Sequence, residues 1–184
     1  MSQLKELLYS DLARQYELEG HPEKRPNLLR FLARLLHFRY LPNVIYRSSR
    51  AAMLAGVPVL PKLLTYLNLV LFGLEITPKC DIGPGVFFAH PVGCVIGAWR
   101  IGKNAMIFSG VGLGALRPDM GFGPETRCDI GDDVTLYAGC KVQGPCRIGD
   151  RAVIGANSVV LSSVEPGRTV FGVPARVVPS SLRN

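Results

Sequence analysis

Residues 130–160 read IGDDVT-LYAGCK-VQGPCR-IGDRAV-IGANSV-V and set an aliphatic side chain at every sixth position: Ile130, Leu136, Val142, Ile148, Ile154 and Val160. Neither a helix, with its period of 3.6, nor an ordinary strand, with its period of 2, produces that interval. Six-residue repeats are the signature of a parallel β-helix, in which short strands wind into coils and the coils stack. One apolar side chain per strand points inward, and stacking turns these into continuous columns. A sandwich with regular turns would alternate over longer runs.

Upstream, Val95, Ile101, Ile107 and Leu113 keep the same step, as do Ile76, Ile82 and Phe88. Between the two sets, His90-Pro91-Val92-Gly93 shifts the phase by one residue. Gly83, Gly102, Gly131, Gly149 and Gly155 each follow an aliphatic, where a tight corner would need a permissive backbone. From Leu113 to Ile130 the repeat is broken by GALRPDMGFGPETRCD, rich in Gly, Pro and Asp. A loop that interrupts a regular scaffold is read as functional, and it contains Asp119, Glu125 and Asp129.

Before the repeat the pattern is helical. Residues 3–19 carry Leu4, Leu7, Leu8, Leu12 and Tyr16 on one stripe. A second helix is predicted from Pro26, burying Leu28, Leu29, Leu32, Leu35 and Leu36 and showing Arg30, Arg34 and His37. A third covers 43–55, and a fourth, LLTYLNLVLF, closes at Gly73. That apolar stretch is too short to span a bilayer, which needs about 20 apolar residues. The predicted organisation is a helical region over 1–74, a β-helix over 75–178 and a tail over 179–184.

Of the 184 residues, 48% are hydrophobic, enough for a core. The net charge of +7 is carried mainly by residues 1–74, with ten Lys/Arg against five Asp/Glu. That excess suits either a solvated helix face or contact with an anionic partner, such as a membrane surface or a phosphate-bearing substrate. The five cysteines lack CxxC pairing and read as reduced thiols, and no signal-peptide layout precedes them, which points to a cytoplasmic protein, peripheral to a membrane at most.

No GxSxG, GxxxxGK[ST] or HExxH motif is present. Only His90 lies in the β-helical part, with His21 and His37 among the helices, so a three-histidine zinc site is not expected, and neither is any other metal. His90 stands where the repeat slips, at a corner. An imidazole there is a candidate general base, since it titrates near neutrality and accepts a hydroxyl proton. Glu75, at the mouth of the first coil, is the candidate to orient it.

LEITPKCDIGPGVFFAHPVGCVIG, the hexapeptides after it and GVPARVV together resemble the serine acetyltransferase group of hexapeptide-repeat acyltransferases, over about residues 40–178. The resemblance implies a left-handed parallel β-helix with three hexapeptides per coil, a homotrimer or dimer of trimers with sites between adjacent β-helices, and acetyl transfer from acetyl-CoA to a hydroxyl. It places His90 on the catalytic histidine and Glu75 on its acidic partner. It sets Ala138, Gly139 and Ala156 along the pantetheine arm and Arg176 near the CoA phosphates.

Two positions depart from that pattern. Ala89 replaces the Asp that holds the ammonium group of serine, and Arg127 replaces a histidine facing the serine carboxylate, where it would contact the acceptor or the oxyanion. These departures resemble relatives that modify exopolysaccharide and capsule. The expected activity is therefore O-acetylation of a sugar or polysaccharide precursor, with no nucleic acid involved. The alternatives are serine O-acetylation in cysteine synthesis and a non-catalytic β-helical scaffold.

Overall fold

The interval of six closes into a prism with three faces. In the computed structural model, which describes residues 2–117 and 121–179, each of the first four rungs of the prism contributes one short strand to each face, and the fifth adds strands to two faces and a single bridge, Val164 to Ile148, to the other. Face A stacks β1 (Glu75–Ile76), β4 (Val95–Ile96), β7 (Gly112–Gly114), β10 (Lys141–Gln143) and β13 (Val159–Val160). Face B stacks β2 (Asp81–Ile82), β5 (Arg100–Ile101), β8 (Asp129–Ile130) and β11 (Arg147–Ile148). Face C stacks β3 (Phe87–Phe88), β6 (Met106–Ile107), β9 (Thr135–Leu136), β12 (Val153–Ile154) and β14 (Thr169–Gly172). The strand β15 (Ala175–Val177) folds back antiparallel on β14 and ends the stack.

All other pairings are parallel and in register, so identical repeat positions lie on top of one another. Ile76, Ile96, Leu113, Val142 and Val160 form the column inside face A. Ile82, Ile101, Ile130 and Ile148 form the column inside face B. Phe88, Ile107, Leu136, Ile154 and Val170 form the third. Full burial of each aliphatic is worth roughly 1.5–3 kcal/mol, and this is what makes the repeat fold.

Two sequence readings need correction here. Val95 is 48% exposed and Ile96, at 1%, fills the column. The corner after Phe88 is longer by two residues, and the next step, Ile96 to Ile101, is shorter by one, so an unbroken count of six lands on the wrong neighbour. The glycines after the aliphatics do not supply a left-handed backbone, for none of Gly83, Gly102, Gly131, Gly149 and Gly155 is among the positive-φ residues. They are small because the coils touch. A Cβ on Gly102 would stand 2.6 Å from the carbonyl of Gly131. The left-handed corner positions belong instead to residues such as Asn104, Asp133 and Gly139.

The five cysteines share one place in the repeat. Cys80, Cys94, Cys128, Cys140 and Cys146 each lie two residues before the inward aliphatic, buried and unbridged. Val86, Ala105, Val111, Val134 and Ala152 fill the same position in other rungs. Cysteine behaves there as a small hydrophobe.

Four helices precede the prism: α1 (Ser2–Leu18), α2 (Leu28–Arg34), α3 (Leu41–Leu54) and α4 (Leu60–Phe72), the last closed by Gly73 in the left-handed conformation. The first rung donates its amides to the second, as in Glu75 N–H to Cys94 O and Gly83 N–H to Ile101 O, which leaves its own carbonyls facing the helices. Helix α3 answers them with a stripe at i, i+3, i+4 and i+7. Asn43 donates to Val86 O (2.9 Å), Tyr46 to Cys80 O (2.6 Å), Arg47 to Ile82 O and Gly83 O, and Arg50 to Cys80 O (3.0 Å). Arg47 is buried and paired with Asp11 of α1 (3.0 Å), whose carboxylate also accepts from Gly85 N–H and Val86 N–H.

Helix α2 departs from its predicted form. It starts at Leu28, because the side chain of Asn27 accepts from Arg30 N–H (2.9 Å) and caps it there, past Pro26. None of its residues is buried. Phe31 is the side chain that packs inward, edge-on against Tyr40 and tilted against Tyr9. Leu29 (78% exposed) and Leu36 (91%) face outward.

Candidate active site

Each coil passes from face C to face A through one corner, and that corner carries the residues singled out above. Two residues beyond Phe88, Ile107, Leu136 and Ile154 stand His90, Ser109, Ala138 and Ala156, so register alone aligns them along a single edge. In the lower rungs the corner is tight. Gly110, Gly139 and Asn157 take positive φ there, and Gly139 N–H donates to Ser109 O (2.8 Å). In the first rung the two additional residues open it into a strap. Before His90, Ala89 N–H donates to Ile107 O (2.9 Å); after it, the Val92–Gly93 peptide is held on both sides, Gly93 N–H donating to Gly73 O (3.0 Å) and Val92 O accepting from Gly110 N–H (3.0 Å), so the strap is anchored at both ends. His90 rises from it, exposed, between the buried Ala89 and Pro91.

Glu75 opens face A in the same rung. Its side chain points outward and its amide is held by Cys94 O, four residues after His90. The carboxylate and the imidazole thus flank one strap, although no hydrogen bond or ion pair joins them among the described residues. Below His90, the half-buried Ala138 and Gly139 and the exposed Ala156 keep the edge low. With strands about 4.8 Å apart, three rungs from His90 to Ala156 make a track of about 14 Å. Arg176, on β15 at the far end, lines a cavity of about 520 Å³ together with Arg168.

The interrupting loop belongs to the A-to-B corner of the third rung, and it turns back over the first two. Phe122 meets Trp99 (ring centroids 5.7 Å apart), and Arg127 lies across the Phe122 ring at 5.2 Å. Arg127 also reaches Gly97 O (3.4 Å), and its Nε is buried with no hydrogen-bond partner. Between loop and prism lies a cleft of about 710 Å³ that contains Glu75 and Arg127 with Lys79 and Arg117. Three cations against one carboxylate make this cleft a place for an anionic group. His90 does not line it.

The structure therefore gathers the sequence candidates into three neighbourhoods: His90 and Glu75 about the strap, Glu75 and Arg127 in the cleft, Ala138, Gly139 and Ala156 along the edge. Arg176 lies apart, beyond the last rung. Lys79, Arg117 and the Trp99–Phe122 pair were not foreseen. Lys79 holds an outward place in the first A-to-B corner, and an outward cation facing a basic, aromatic loop is the signal that could have found it. Asp119 lies outside the described residues.

The bacterial transferase hexapeptide family, described as six repeats, matches residues 127–162. Serine acetyltransferase of Synechococcus elongatus is 41% identical over 136 residues, which are 73% of this chain and 54% of that protein. The chain thus spans about half the length of that curated relative. The structure of Neisseria gonorrhoeae serine acetyltransferase in complex with serine superposes with a TM-score of 0.80 at 30% identity, covering 97% of this chain and 70% of the other. A serine acetyltransferase in complex with CoA gives 0.81 at 28%, covering 96% and 70%.

Proposed function

Because the chain belongs to the serine acetyltransferase family of hexapeptide-repeat proteins, we propose that it transfers acetyl from acetyl-CoA to the hydroxyl of serine. The observation that carries the reading is the strap of the first rung, which lifts His90 at the head of a low edge, on a fold shared over nearly its whole length with structures holding serine and CoA. The sugar acceptor expected from Ala89 finds no support among these relatives, and the serine alternative takes its place.

In the proposed reaction His90 takes the hydroxyl proton as the serine oxygen attacks the thioester carbon. The tetrahedral intermediate collapses with loss of the CoA thiolate, which recovers the proton from the imidazolium, so no acyl-enzyme forms. Glu75, across the strap, favours that imidazolium. Arg127 holds the serine carboxylate or steadies the oxyanion. Ala138, Gly139 and Ala156 leave room for the pantetheine arm, and Arg176 meets the phosphates, with Arg168 beside it. The site is open along the prism, which suits a homotrimer or dimer of trimers in which a second β-helix supplies the opposite wall.

One observation favours a second reading, a sugar hydroxyl as acceptor: Ala89, buried beside His90, offers no carboxylate for an ammonium group, and an unpaired charge leaving water is costly. Release of CoA thiol, followed with L-serine and with sugars and nucleotide sugars as acceptors, separates the two. Turnover is expected with L-serine, and Ala89→Asp should lower the KM for it roughly tenfold, the worth of one charge-assisted hydrogen bond. Turnover on a sugar with none on serine would replace the first reading by the second.

A further inference from the structure

We propose that α2 and the turn after it dock this protein on a membrane surface rich in anionic lipid. Leu28, Leu29, Leu32 and Leu36 are all exposed, and so is Phe38 in the turn that follows. A helix whose leucines face solvent is unusual on a folded domain, and such patches mark binding surfaces.

The charge around these leucines selects the partner. Residues 24–39 contain Lys24, Arg25, Arg30, Arg34 and Arg39 and no Asp or Glu. Arg34 is paired with Glu19, while Lys24, Arg25, Arg30 and Arg39 have no ion-pair partner among the described residues. Lys5, over the Tyr9 ring at 5.4 Å, adds a cation beside the groove that Leu28 shares with Leu4 and Leu8. A second copy meeting this face about a twofold axis would bring the same cations against each other. An anionic lipid surface takes both components, the leucines entering the headgroup boundary and the cations meeting phosphates. The contact is peripheral, for no helix among the described residues is long and apolar enough to cross a membrane.

The test is co-flotation of the full chain with vesicles of phosphatidylcholine alone and of phosphatidylcholine mixed with phosphatidylglycerol. Binding is expected only with the anionic lipid, and it should weaken as salt is raised. Arg25→Ala/Arg30→Ala should lower the partition constant roughly thirtyfold, the worth of two cations at an anionic surface. Leu29→Glu/Leu36→Glu should abolish binding with the melting curve, light-scattering mass and acetyl transfer unchanged. Equal binding to neutral vesicles, or no binding to either kind, overturns the proposal. A lower mass for Leu29→Glu/Leu36→Glu overturns it as well, since the leucines would then be covered by a second copy.

Discussion

His90 is the side chain on which the proposed chemistry turns, and its position makes it testable without disturbing the fold. It is exposed, and the strap that carries it is anchored through the backbone of Gly93 and Gly110. His90→Ala should therefore melt as the parent does, bind CoA, and lose about 10²–10⁴-fold in kcat, the usual contribution of a general base. Glu75→Gln keeps a hydrogen-bonding group and should cost less. Parent-like turnover in His90→Ala would remove the base from the mechanism. His90 was legible because a slip in a regular repeat is visible in any count. The cleft was not, because Lys79, Arg117 and Phe122 meet only once the loop folds back, and nothing in their spacing announces that return.

At the scale of elements, α3 supports the first rung. Its four polar side chains give donors to carbonyls that no coil covers, and Arg47 adds a buried pair with Asp11. Arg47→Met leaves Asp11 buried without its counter-charge and should cost about 3–5 kcal/mol. For a chain of this size that lowers the melting temperature by roughly 10 °C. Replacing both partners, Asp11→Leu with Arg47→Met, should restore much of the loss, because no charge is then stranded. A melting curve for Arg47→Met that matches the parent would show that the pair carries no such weight. The helices themselves were readable from periodicity, but their burial was not. Periodicity identifies an apolar stripe without saying what covers it, and in α2 and the turn after it Leu28, Leu32 and Leu36 face solvent while Phe31 makes the contact.

For the whole molecule, the repeat was legible from its aliphatics because stacking in register forces a large apolar side chain into every place of each column. The column of small residues beside it was hidden, since cysteine, alanine and valine share no sequence label, only a volume. That column predicts how stability responds to alkali. Burial pushes Cys80 and Cys140 from 9.0 up to about 12, so between those values the unfolded chain releases thiol protons that the folded chain retains. Stability should hold up to about pH 9 and fall as pH rises toward 12. The fall should be shallower in Cys80→Ala/Cys140→Ala, measured by denaturant titration at each pH; an identical slope would disprove the account. The carbonyls under α3 bear on a different matter, the finite length of the object. Successive coils are near-equivalent, so an uncovered first rung would be a growth surface on which the last rung of another molecule could add, and another on that. With α3 over the first rung and the reversed strand β15 folded back on face C of the last, such addition is blocked at the first rung and along face C, and filament growth loses the matching surface it needs.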